Sequence, residues 1–121
     1  MENIDNKVKL GFYGQEKAEK FLREKGMSLL KANFRATSGE IDLIMRDGEY
    51  IVFIEVKYRK SLKYGLPREA VGRRKQQTVK RTALHYIARH GLKEQDFRFD
   101  VLEILDVPEG LIINHIENAF Q

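Results

Sequence analysis

Gly39-Glu40-Ile41-Asp42-Leu43-Ile44-Met45-Arg46-Asp47-Gly48-Glu49-Tyr50-Ile51-Val52-Phe53-Ile54-Glu55-Val56-Lys57 reads as two apolar strands around an Asp-Gly turn. Asp-Gly favours the positive φ angles of a tight hairpin turn. Three ionisable residues, Asp42, Glu55 and Lys57, interrupt strands that could otherwise be buried. Such charges cost free energy unless they are paired, solvated or bound to an ion.

With Asp47 and Gly48 as the turn, Ile44 faces Ile51, Asp42 faces Phe53 and Glu40 faces Glu55. Side chains alternate along a strand. Glu40, Asp42, Glu55 and Lys57 are therefore expected on one face, at one end of the hairpin. Asp42 and Glu55 become diagonal neighbours, with backbones roughly 7–8 Å apart, so both carboxylates can converge on one cation. A symmetric four-residue turn would keep this register; a one-residue bulge would put Asp42 on the face opposite Glu55.

Outside the hairpin, the 121 residues suffice for one domain, 1–121, with a single core, and 42% apolar residues argue for a globular chain. There is no cysteine, hence no disulfide framework and no thiolate ligand or nucleophile. That composition suits a reducing, cytoplasmic setting. The polar first ten residues read as no signal peptide, and no apolar run approaches a membrane span. The net charge is +4, but Lys57 to Lys93 holds twelve Lys/Arg against one acid, Glu69, leaving −7 for the remainder. A patch this one-sided attracts polyanions, nucleic acid foremost.

Before the hairpin, Lys7 to Lys25 has helical periodicity, with Gly11, Gly14, Ala18, Phe21 and Leu22 on one stripe and Gly26 as its stop. The two glycines are expected to let the helix approach the sheet. Gln15 sits beside the stripe, and Glu16 points toward solvent like an ordinary surface acid. Residues 1–6 read as a frayed end. Met27 to Arg35 reads as a strand, and Ala36 to Gly39 as a turn. After the hairpin, Lys57 to Val71 is a basic loop with Tyr58 and Tyr64, suited to gripping a backbone or stacking on a base, or else a plain solvated loop.

Gly72 to His90 forms a second helix with Val79, Ala83, Tyr86 and Ile87 buried, Gln76 on the same stripe, and the cations elsewhere. Its N-terminus could contact phosphates. Asp96 to Leu105 and Leu111 to Ile116 complete the sheet. The order α-β-β-β-α-β-β describes an α/β fold, a mixed sheet flanked by helices. A right-handed parallel crossover joins the Ile51–Lys57 strand to the Phe97–Leu105 strand.

The chain has no Walker-type phosphate loop, no dinucleotide fingerprint and no nucleophile elbow. His85, His90 and His115 lack metal-ligand spacing. What remains is an Asp, then Glu-x-Lys thirteen residues on, beside a basic patch. Carboxylates without thiolate or imidazole select a hard cation, Mg²⁺ or Mn²⁺, with the Val56 carbonyl as a further ligand. Such an ion can polarise a phosphoryl oxygen, and Lys57 could orient the attacking water. The same residues would equally make an ion-paired, solvated sheet end, Lys57 with Glu55 and Glu40.

Gly39-Glu40-Ile41-Asp42-Leu43-Ile44 and Phe53-Ile54-Glu55-Val56-Lys57-Tyr58-Arg59 resemble the YraN-like family of small bacterial proteins. The likeness extends to Gly11, Gly14, Ala18, Leu22, Lys75-Gln76, Ala83, Tyr86, Arg98-Phe99-Asp100-Val101 and Asn118-Ala119-Phe120. That family is similar to archaeal Holliday-junction resolvases within the PD-(D/E)XK, restriction-endonuclease-like superfamily. The resemblance implies a Mg²⁺-dependent endonuclease acting on DNA, including branched or repair intermediates. A non-catalytic nucleic-acid-binding or adaptor module on the same scaffold is the alternative.

Asp42 and Glu55 would hold the metal with Val56, Lys57 would assist the water, and Gln76 would support the site. Glu40, Gln15 and Glu16 are further supporting candidates. The family usually places Glu where this chain has Gln15. Nucleic acid would be gripped by Arg59, Lys60, Lys63, Tyr64, Arg68, Arg73, Arg74, Lys75 and Lys80. Superfamily members that cut branched DNA are often homodimers.

Overall fold

The computed structural model describes residues 4–60 and 72–121. The elements run α1 (Ile4–Glu24), β1 (Ser28–Ala36), β2 (Gly39–Asp47), β3 (Tyr50–Arg59), α2 (Arg73–Arg89), β4 (Asp96–Val107) and β5 (Gly110–Phe120), the order read from the sequence. They form one five-stranded sheet, β1-β2-β3-β4-β5, antiparallel except for the β3–β4 pair. The expected parallel neighbours are therefore present. Central β3 is buried from Ile51 through Glu55, as a strand covered on both faces must be.

Each face carries one helix. Ala18 and Leu22 of α1 pack with Leu43, Met45, Val52, Ile54, Leu102 and Ile104. Val79, Ala83, Tyr86 and Ile87 of α2 pack with Ile44, Ile51, Phe53, Phe99 and Val101. Both helices end in the same way. The N–H of Met27 bonds the Leu22 carbonyl and that of Gly26 the Arg23 carbonyl; Leu92 and Gly91 repeat this on Ile87 and Ala88. Each is a Schellman closure with its apolar pair, Met27 on Leu22 and Leu92 on Ile87.

Three readings need correction. First, the hairpin turn is Gly48-Glu49, with Asp47 paired to Tyr50, Ile44 to Phe53 and Leu43 to Ile54. Gly48 has φ +60° and Glu49 does not share a positive φ. Glycine therefore takes the first central position, as a type II′ turn prefers, where Asp47-Gly48 would have needed positive φ at Asp47 too. The two-residue slip preserves the parity of the pairing and, carried one step past Leu43–Ile54, sets Asp42 opposite Glu55.

Second, alternation breaks beside the site. Ile41 packs on the α2 side with Ile44, while Leu43 and Met45 pack on the α1 side. Opposite, Phe34 and Ala32 divide in the same way. The ladder passes from Ala32–Leu43 to Phe34–Ile41, and between them Asn33 adopts φ +53°. Asp42 lies at this paired kink.

Third, only one helix glycine gives close approach. A Cβ on Gly14 would lie 2.7 Å from the Tyr58 Cβ, whereas one on Gly11 would meet nothing within 4 Å. At the chain ends the helix already includes Ile4 to Asn6, and β5 runs on to Phe120, whose ring stacks on Phe99 at 5.2 Å.

Candidate metal and nucleic-acid site

The hairpin end, β1 and the N-terminal half of α1 enclose a cavity of about 700 Å³. Gly11, Phe12 and Gln15 come from α1, Asn33 and Arg35 from β1, Glu40 and Asp42 from β2, and Val56, Lys57, Tyr58 and Lys60 from β3 and its end. Glu55 is not part of that lining: it is only 2% exposed, pairs with Lys75 of α2 and lies close enough to Asp42 and Lys57 to feel their charges.

The two carboxylates are held differently. Asp42 Oδ2 accepts the Val56 N–H at 2.8 Å, so backbone fixes one of its oxygens. Glu55 Oε2 lies 3.4 Å from Lys75 Nζ, at the start of α2, while Glu55 Oε1 is buried without a hydrogen-bond partner. Burial first, then the Asp42 charge, pushes Glu55 from 4.5 up to about 7, against the pull of Lys75 and Lys57. Asp42 is likewise raised by burial, opposed by the Val56 N–H and by Lys75. Two acids that each resist ionisation because of burial, Glu55 also repelled by Asp42 and Asp42 by Glu40, leave a local demand for positive charge.

That environment fits a cation. Among the described residues no three His, Cys, Asp or Glu side chains gather into a metal-binding group. A hard ion here would therefore rest on two carboxylates and the Val56 carbonyl, completed by water or phosphate. Mg²⁺ is commonly held in this way. The orphaned Glu55 oxygen gains a partner in such an arrangement.

The other candidate residues are distributed around this centre. Lys57 and Gln15 line the cavity, and Glu40 pairs with exposed Arg35 at 3.4 Å. Glu16 faces away, toward Glu19, Lys20 and Arg23. Gln76 is half-buried in the first turns of α2 and Arg59 lies at the end of β3. Arg73 and Arg74 are exposed at the α2 N-terminus, whose first turn contains no acid. Lys80 lies over the Phe120 ring, 5.9 Å from its centre. Lys63, Tyr64 and Arg68, with most of the basic loop, lie outside the described residues.

Three features escaped the sequence reading. Lys75 carries its charge inward to Glu55, although its helix position resembled that of its exposed neighbours. Phe12, Asn33 and Arg35 join the cavity wall; the only signal in the sequence was an aromatic off the apolar stripe of α1. Glu103, paired with Lys57 across β3–β4, is 5% exposed. Its Oε1 accepts from Asn114 Nδ2 at 2.8 Å and its Oε2 is buried without a partner. Tyr58, read as part of the basic loop, belongs instead to β3, packs against Gly14 and donates its hydroxyl to Asp106 at 2.7 Å.

Among the described residues no helix is long and apolar enough to cross a membrane. Residues 14–104 match the model of the uncharacterised protein family UPF0102. A UPF0102 protein of Caldicellulosiruptor saccharolyticus is 47% identical over 117 residues, covering 95% of this chain and 99% of the relative. One from Alkaliphilus metalliredigens is 47% identical over 111 residues, covering 92% and 96%. One from Nocardia farcinica is 39% identical over 121 residues, covering 99% and 95%. With relatives this similar along nearly its whole length, the chain belongs to the UPF0102 family.

Proposed function

We propose that this UPF0102 protein is a Mg²⁺- or Mn²⁺-dependent endonuclease that hydrolyses phosphodiester bonds in DNA, with the restriction-endonuclease-like scaffold its sequence resembles. The observation that carries this reading is the buried, unpartnered Glu55 Oε1 beside a second carboxylate whose charge already opposes that of Glu55. Bound there, the divalent ion would polarise a phosphoryl oxygen and acidify a water. Asp42, pinned by the Val56 N–H, keeps its other oxygen for the ion. Lys57, in the cavity wall, orients the attacking water and offsets charge developing on phosphorus. Gln15, Gln76 and Glu40 support the site.

Arg73 and Arg74 sit where the helix dipole already repels cations, with no acid in that turn. An anion is what such an end accommodates, and a DNA backbone supplies one. Such contacts grip phosphate without reading bases, so cleavage would show little sequence preference. Two copies of the chain would present two sites to a branched junction.

The test is incubation with branched, single-stranded and duplex DNA in Mg²⁺ or Mn²⁺. Cleavage is expected in the wild type and lost in both Asp42→Ala and Glu55→Ala. Activity that persists unchanged in either variant overturns the assignment. One observation favours a second reading, a binding module without turnover: neutral Gln15 faces the cavity, while the adjacent acid, Glu16, is turned away. Salt-sensitive DNA binding with no cleavage in any divalent metal selects that reading.

A further inference from the structure

Phe12 presents a chemical misfit. Its side chain is 53% exposed, yet it stands in the wall of the same cavity as Asp42 and Lys57. Its neighbour Tyr13 is engaged edge-on with Tyr58 at 5.7 Å and lies under Lys17, 5.2 Å from the ring centre. Tyr58 is fixed by Gly14 and Asp106. Among the described residues, Phe12 is thus the exposed aromatic of this lining, Tyr58 being engaged elsewhere. Among the described residues the space beside it is open, since even a Cβ on Gly11 would touch nothing within 4 Å. The same lining carries three cations, Arg35, Lys57 and Lys60. Among the described residues Arg35 makes an exposed pair with Glu40, the kind that contributes little and exchanges readily.

An exposed phenyl ring and cations lining one cavity match one unit of a nucleic acid strand, a flat apolar base joined to an anionic phosphate. In a duplex the base faces are covered by their stacked neighbours, so a ring reaches a base face where that stack is interrupted, as in a single-stranded segment. Resting on the reading of this cavity as a nucleic-acid site, we propose that it receives an unpaired nucleotide of a DNA strand. The base stacks on Phe12, and its phosphate lies among Arg35, Lys57 and Lys60. The substrate class is then DNA with a single-stranded segment, such as a flap, gap or overhang, rather than continuous duplex.

Binding alone tests this. A fluorescein-labelled oligo-dT and a duplex of equal length are titrated by anisotropy in EDTA and in Ca²⁺, with wild type, Phe12→Ala, Phe12→Trp and Gly11→Leu. Phe12→Ala is expected to weaken oligo-dT binding about tenfold, the usual worth of one base stack, with duplex affinity within about twofold. Phe12→Trp should restore the affinity, and oligo-dT should quench its fluorescence. Gly11→Leu, which has room to fold, should fill the cavity and mimic Phe12→Ala.

Equal weakening on both DNAs, no weakening on either, an unquenched tryptophan or no DNA binding at all overturns the proposal. The two readings fail separately. Phe12-dependent binding without cleavage rejects the nuclease and keeps the nucleotide pocket; duplex cleavage indifferent to Phe12 does the reverse.

Discussion

Glu55→Gln is expected to stabilise the metal-free protein at pH 8 and to leave it nearly unchanged at pH 5. Burial and Asp42 raise the Glu55 carboxyl from 4.5 in the open chain to about 7 in the fold. The native state therefore holds this proton more tightly than the unfolded state. Below 4.5 both states are protonated and there is no penalty. Between 4.5 and about 7 the unfolded chain ionises first, and stability falls as pH rises; above 7 the loss is complete. Converted at 1.36 kcal/mol per pH unit, the full penalty is about 3 kcal/mol.

Glutamine has the same shape and never ionises, so the variant escapes that loss. Urea unfolding of both proteins at pH 5 and pH 8, in EDTA, reads the difference directly. The variant's advantage should grow by about 2.5 kcal/mol between the two pH values, because a small part of the penalty is already present at pH 5. Millimolar Mg²⁺ should then recover stability in the wild type at pH 8 and not in Glu55→Gln. An advantage that is the same at both pH values would refute the claim that Glu55 is strained by its own charge.

Two further outcomes follow from the packing. Gly14→Ala should cost about 1–3 kcal/mol, because its Cβ would press into the Tyr58 side chain at 2.7 Å, whereas Gly11→Ala should gain up to about 1 kcal/mol; comparable melting shifts in the two variants would contradict the close approach. Asp100, fully buried, accepts from Arg98 Nε, the Asn118 N–H and His115 Nε2, the last at 2.7 Å. Burial raises its carboxyl, but the bonds from His115, Arg98 and Asn118 prevail and hold it below its ordinary value. Its stabilisation is therefore present above pH 3.8 and lost as pH falls through the lowered value, and Asp100→Ala should cost about 3–5 kcal/mol in urea unfolding at pH 7. A variant as stable as wild type there would show the network to be dispensable.

The order of elements could be read from the chain because helical and alternating periodicities change cleanly at Gly26, Ala36 to Gly39 and Gly91. The local geometry at the site could not. Asp47-Gly48 and Gly48-Glu49 both offer a glycine to the turn, and only the backbone φ at Gly48 separates them. The kink at Asn33 and Asp42 is a tertiary compromise between two strands, invisible to either strand's own pattern. Asp100 alternates with apolar neighbours and so reads as solvent-facing, yet β5 covers it with His115 and Asn118. The His115 ring is oriented in turn by Lys25, which as a pure donor makes Nδ1 the acceptor and leaves Nε2–H for Asp100. The inward path of Lys75 depends on where α2 docks, which no helical periodicity states.

The hairpin also bears on the sequence of folding events. Asp42 and Glu55 are joined through a two-residue turn, whereas the parallel ladder must bring Tyr50 to Asp96, 46 positions away. Short-range closure sacrifices less chain entropy and comes first. The paired acids therefore meet while still hydrated, where their mutual repulsion is screened. They become costly only when α2 and β4 arrive and exclude water. The charge of Glu55 opposes that late docking step, so any gain in folding rate from Glu55→Gln is expected in the closing of the sheet rather than in the hairpin.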